Sequence, residues 1–244
     1  MKETPYSTLI KYFTDRHHID VLSGQQKAKT TSEKMACKYF VKLGDISSIM
    51  ERVGRYDIYY KEFYIDESII PKHEALEYHI QSYLDNLYRL QERMFTTVNL
   101  LKQDIKGSDI EKDEVVQLDE LLTHITTSIS KLLREAREKR RKHVHIDSFY
   151  EQKVSLVKSL SLIEDTLDPV QKELVQIKKG EILEEVQNRY IKLSVANKET
   201  ISALSDFFFT RLGFVYSLIE NNDPSNFSKF FQTKPYLQDN PKPM

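Results

Sequence analysis

Between Lys131 and Lys142 the chain carries seven Lys or Arg residues against only Glu135 and Glu138, and His143 and His145 follow directly. These residue types can do chemistry. Histidine, which titrates at about 6.5, takes or gives a proton near neutral pH. Arginine stays charged and grips a phosphate through two parallel N–H donors. His145 lies five residues beyond Arg140, about 140° around a continuous helix, so one straight helix cannot bring the two to a common site. A helix break beside His145, or a two-fold dimer of such segments, would do so. The other account of the run is a solvated helix end, because cations in a last turn gain roughly 0.3–1 kcal/mol each from the helix dipole.

Elsewhere the chemistry is thinner. His17-His18 has no third metal ligand at useful spacing, and His73 with His79 misses the four-residue spacing that places two imidazoles on one helical face, even with Glu77 nearby. His124 lies beside an apolar stripe, as a surface or boundary residue would. The six glycines are isolated, so neither a phosphate loop nor a dinucleotide fingerprint can be built. No serine sits in a tight Gly-flanked turn. Cys37 stands alone, which excludes an internal disulfide or a multi-cysteine zinc site. Phe207-Phe208-Phe209 is expected in a core or a dimer interface. No metal and no cofactor are expected.

Few glycines and prolines mean few turns, hence long elements, and the fold class expected is all-α: an up-and-down bundle of long antiparallel helices. From Pro71 onward, Ile80, Leu84, Leu87, Met94, Val98, Leu101 and Ile105 predict a helix over 71–105 that ends before Gly107. Leu118, Leu122, Ile125, Ile129, Leu132 and Ala136 predict a second, from Glu114 to near His143, packed antiparallel on the first. The same stripe next predicts an inward residue at 140, and a guanidinium there needs a partner or an anionic ligand. Ser148 and Glu151 have capping-box spacing, which predicts a new helix at Ser148 and a junction over 144–147. Asp168-Pro169 with Gln171 repeats the start signal for a last helix, which Gly180 interrupts or is absorbed into and which ends at 221–222. Met35, Tyr39, Val41 and Leu43 fit a helix ending at Gly44; Ile46, Ile49, Met50 and Val53 fit another ending near Gly54. Residues 56–70 are expected to be irregular or helical. The division expected is an N-terminal helical appendage over 1–70, a helical bundle over 71–222 and a Pro-containing tail over 223–244.

Composition narrows the function classes. Lys and Arg number 36 against 37 Asp and Glu, a net charge of -1. That balance excludes a chain basic all over or an acidic disordered one, and any polyanion site must be a local concentration of charge. No run of about 18 apolar residues appears, so no membrane span is expected. Met1 to Asp20 lacks the apolar centre of a signal peptide, and the expected location is the cytoplasm.

Arg140-Arg-Lys-His-Val-His145 resembles the R-x4-6-H signature of the HEPN superfamily, with Arg, Lys and His in register and Arg141 where Asn or another polar residue is frequent. Its place at the end of a long helix, preceded by another and followed by more, is also similar. Tyr83-Leu-Asp-Asn-Leu-Tyr88-Arg-Leu-Gln-Glu92-Arg93 resembles the polar-studded helix of abortive-infection-type HEPN proteins. The resemblance covers residues 70 to 222. It implies a metal-independent endoribonuclease that cleaves RNA through its own 2′-OH, often the toxin or effector of a defence system with an antitoxin partner, acting as a homodimer. His145 would then transfer protons, Arg140 would hold the scissile phosphate, and Arg141, Lys142 and His143 would attract the RNA backbone. Some HEPN toxins carry a modifiable Tyr two residues after the His; here that position is Asp147. A non-catalytic helical module that binds RNA or protein through the same basic segment is the alternative.

Overall fold

The computed structural model describes residues 4–17, 31–62, 69–106, 112–134 and 151–221. The fold is all-α, and among the described residues there is no strand. The helices are α1 (Pro5–His17), α2 (Thr31–Val53), α3 (Tyr56–Glu62), α4 (Lys72–Lys106), α5 (Lys112–Leu132), α6 (Gln152–Ile163) and α7 (Pro169–Asn221), with a 3-10 turn at Glu164–Thr166 between the last two.

Local signals set several of these ends. Asp168 caps α7: its Oδ1 accepts the N–H of Val170 at 2.9 Å and of Gln171 at 3.0 Å, while Gln171 Oε1 accepts the Asp168 N–H at 3.4 Å. This reciprocal box satisfies donors that have no intrahelical partner. Pro169 then occupies the first helical position, where a missing N–H costs nothing. Thr4 and Ser7 form the same kind of box at the start of α1, each side chain accepting the other's N–H, at 2.8 and 3.1 Å. Pro71 stands one residue ahead of α4, and its carbonyl accepts the N–H of Glu74 at 2.9 Å.

Gly44 and Gly54 are both expected to end helices, and of the two Gly54 does. α2 runs through Gly44 as one helix, because the roughly 1 kcal/mol helix cost of a glycine is outweighed by the face that Tyr39, Leu43, Ile46, Ile49 and Met50 bury together. A Cβ at Gly44 would lie 3.8 Å from the Tyr6 hydroxyl, so α1 approaches closely there. Gly180 is absorbed into α7, where Ile182, Leu183 and Val186 bury the next turns. Near Gly54 a helix does end: α2 stops at Val53 and α3 follows after a short turn.

The chain divides into two compact units, and each draws on residues from both sides of position 70. Among the described residues, unit 1 comprises 4–17, 31–51, 89–106, 112–133 and 200–221. Here α2 runs antiparallel to α4, as the ion pairs Arg93–Asp45 (3.1 Å) and Lys38–Asp104 (3.0 Å) show. The Tyr39 hydroxyl donates to Asp104 at 2.6 Å, and burial pushes that phenol far above its usual range. α5 returns along α4, with Lys102 donating to Thr123 at 2.6 Å. The segment of α7 in this unit buries Phe207, Phe208 and Phe209 together, as core, with Tyr6 of α1 packed 5.0 Å from the Phe209 ring.

Among the described residues, unit 2 comprises 52–62, 69–88, 134 and 151–199. α6 and α7 form a hairpin held along its length by Glu151–Arg189, Lys153–Glu185 and Glu164–Lys179 pairs. α3 packs on both α4 and α7 through its tyrosines, described next.

Candidate functional site

Arg140, Arg141, Lys142, His143 and His145 lie outside the described residues, as do Ala136, Asp147 and Ser148. The helices on either side of them are described. On the N-terminal side, Leu118, Leu122, Ile125, Ile129 and Leu132 of α5 are buried, in the phase the spacing predicts, and Leu121 and Leu133 widen the stripe. Lys131 and Arg134 are exposed on the other face. The helix expected to reach His143 is assigned as far as Leu132, and its continuation past Arg134 falls outside the described residues.

On the C-terminal side the capping box is corrected. α6 starts at Gln152, and Glu151 is its N-cap residue with extended backbone (φ -91°, ψ 99°) and no side-chain cap bond. An N3 residue of a helix begun at Ser148 would be helical. The Glu151 carboxylate instead accepts from the Arg189 guanidinium and, at 3.3 Å, from the Tyr190 hydroxyl. The Arg189 guanidinium offers the carboxylate a full positive charge where a backbone amide offers only a dipole, which is why the tertiary partner wins. Burial first, and then the Glu151 carboxylate, push the Tyr190 hydroxyl up to about 12. The Arg189 guanidinium lies 5.3 Å from the Tyr190 ring centre, a cation–π contact.

Behind this anchor lies a polar core. Tyr60 packs against Tyr190 at 5.7 Å, and Tyr56 against Tyr83 at 4.9 Å. The Gln187 amide donates to the Tyr60 carbonyl at 2.5 Å, and Asn197 donates to the Tyr83 hydroxyl at 2.6 Å. Asn86 donates to the Tyr56 hydroxyl at 2.9 Å and to the Ser82 carbonyl at 2.8 Å. Burial raises the Tyr60 phenol well above its usual range, and Tyr56 shifts the same way. The Tyr60 and Tyr56 phenols stay protonated at neutral pH, and the Tyr56 and Tyr83 hydroxyls accept from the two asparagine amides; the arrangement ties α3, α4 and α7 together. Asn197 carried a sequence signal, since it falls in phase with Val186, Tyr190 and Leu204. The partner of a polar residue on an apolar stripe is set by tertiary packing, which spacing does not give.

The remaining histidines sit in separate places. His73 is buried in the first turn of α4, and burial lowers its pKa. His79 stacks edge-on near Tyr60, 6.5 Å between centres. His124 is exposed, its ring 6.3 Å from Phe207, as expected of a boundary residue. Among the described residues no group of three or more His, Cys, Asp or Glu could hold a metal ion. Nor is any described helix long and apolar enough to cross a membrane.

These features define an all-α helical protein. Beyond that class, no family model matches the chain, and no curated protein or solved structure matches it either.

Proposed function

We propose that the chain is a metal-independent endoribonuclease of HEPN type, with a composite site formed by two copies around Arg140 and His145. His145 transfers protons between the 2′-OH and the leaving oxygen, and Arg140 stabilises charge on the scissile phosphate. Arg141, Lys142 and His143 draw in the RNA backbone, so binding weakens steeply with salt. A toxin or defence effector neutralised by a partner protein is the setting this chemistry suits. The observation that carries the reading is the phase of α5. Its buried stripe runs in step through Leu132, and continued at about 100° per residue it puts position 140 about 40° from the stripe's centre, within the sector that Leu121 and Leu133 bury, where an aliphatic residue belongs and an arginine stands.

The test is an RNase assay in the presence of EDTA, comparing the native chain with Arg140→Ala and His145→Ala. Cleavage should survive the chelator and fall by at least about 100-fold in both variants, with helical circular dichroism unchanged. Equal background activity in all three samples would sink the proposal.

A second reading is favoured by one observation: unit 2 leaves an unusual amount of aliphatic surface open. A non-catalytic helical module that binds RNA or protein would present such a surface. It predicts RNA or partner binding that His145→Ala leaves intact.

A further inference from the structure

The outer face of the α6–α7 hairpin is apolar. Val170, Leu174 and Ile177 recur at spacings of four and three, and each is 55–68% exposed. They lie about 160° around α7 from the positions that Ile182, Leu183 and Val186 bury. α6 repeats the pattern: Leu156 and Ile163, seven residues apart, are exposed about 140° around from the buried Val154 and Val157. Single exposed aliphatics are ordinary, but five in two outer stripes of one hairpin mark a covered surface.

The charges beside the α7 stripe select the occupant. With Val170 and Ile177 at d positions and Leu174 at a, Glu173 is a g residue and Lys178 the following e residue, on opposite flanks of the stripe. In a parallel pair of helices, g of one faces e of the other, so Glu173 meets Lys178 across the seam. The other flank residues, Gln171 and Gly180, bring no like charge. Antiparallel pairing sets each flank against its own kind, carboxylate against carboxylate. Lys178 also bonds Glu181 at 2.9 Å within the helix, which holds its ammonium on that side. Glu181 and Glu184 fall at the next a and d positions, so the seam closes after Ile177 and two copies would part there. The flank charges thus fit one partner, an identical helix in the same direction.

We propose that a second copy of this chain covers the hairpin face through parallel, two-fold pairing of the N-terminal turns of α7, Leu174 against Leu174 and Glu173 against the partner's Lys178. The seam is two turns long, shorter than a standard interface, so the pairing is weak and shows only in concentrated protein. This pairing rests on the exposed stripe and its flanking charges and holds whether or not the chain cuts RNA.

Sedimentation equilibrium of the full chain from about 1 to 500 µM tests it, with circular dichroism of each variant as a control for folding. The native chain should fit a monomer–dimer equilibrium. Leu174→Glu should weaken it by about 100-fold or more without loss of helix, because its side chain is largely exposed in one copy. Glu173→Lys should weaken it by about tenfold, and Glu173→Lys with Lys178→Glu should restore it. In a Cys37→Ser background, Leu174→Cys should form an intermolecular disulfide under mild oxidation and Lys172→Cys should not. A chain that stays monomeric throughout overturns the proposal, as does a dimer indifferent to Leu174→Glu. A charge swap that fails to restore pairing overturns the parallel register.

Discussion

The two units solve the same packing problem with different materials. Among the described residues, unit 1 buries 26 apolar side chains and leaves two large ones, Val41 and Val116, exposed, whereas unit 2 buries 14 and exposes 12. Their interiors differ in kind as well. Unit 1 is built on aliphatics and the Phe207–Phe209 run; unit 2 is built on tyrosines tied to Asn86 and Asn197. Unit 1 therefore draws its stability from apolar area and close packing. Unit 2 depends more on satisfied hydrogen bonds, each costly to break and modest to keep. An apolar surplus left outside an interior of that sort belongs to an interface.

Substitutions should separate the two. Phe208→Ala, in the heart of unit 1, should cost about 3–5 kcal/mol in urea unfolding, while Leu174→Ala in unit 2, measured at dilution, should change stability by less than about 0.5 kcal/mol. Equal losses would break the distinction. Tyr83→Phe should cost about 1–3 kcal/mol, because it strands the Asn197 amide donor, and adding Asn197→Leu should recover part of that loss. Gln91 reverses the sign. It is buried in the α4 seam with neither amide atom partnered among the described residues, so Gln91→Met should stabilise the protein by about 1–2 kcal/mol. A destabilised Gln91→Met would mean that the amide has a partner of its own.

The smallest effect is on pH. Burial lowers the His73 pKa, with Lys179 and Lys158 acting in the same direction and Glu74 and Glu77 against it. Above about pH 6.5 the imidazole is neutral in both states and adds no pH dependence. Below that, the unfolded chain takes up a proton that the folded one resists, so stability falls as pH falls. His79 and His124 shift the same way, so His73→Gln should remove part of the decline between about pH 7.5 and 5. An unchanged slope would show that His73 protonates as readily folded as unfolded.

Much of the fold was legible beforehand because a helix writes its period into the sequence. The α4 and α5 stripes and the Asp168 cap are local, and local rules place them to within a residue or two. Gly44 and Glu151 were misread for a common reason: each obeys a local signal that a tertiary interaction overrides, the buried face of α2 in one case and the Arg189 guanidinium in the other. The buried position of Asn197 followed from spacing, but its partner Tyr83 lies 114 residues away in the chain.

The amino-acid sequence by itself determined that this protein is all-α, where α4 and α7 begin and end and where α5 begins, and which residues carry charge near His145, since these follow from period, capping chemistry and composition. Only the tertiary structure decided which polar residues pair inside unit 2, how α1 and α2 share in a core, and which apolar stripes are left uncovered. Period identifies an apolar face but not what lies against it; that depends on which helices meet, and contact across the chain settles it.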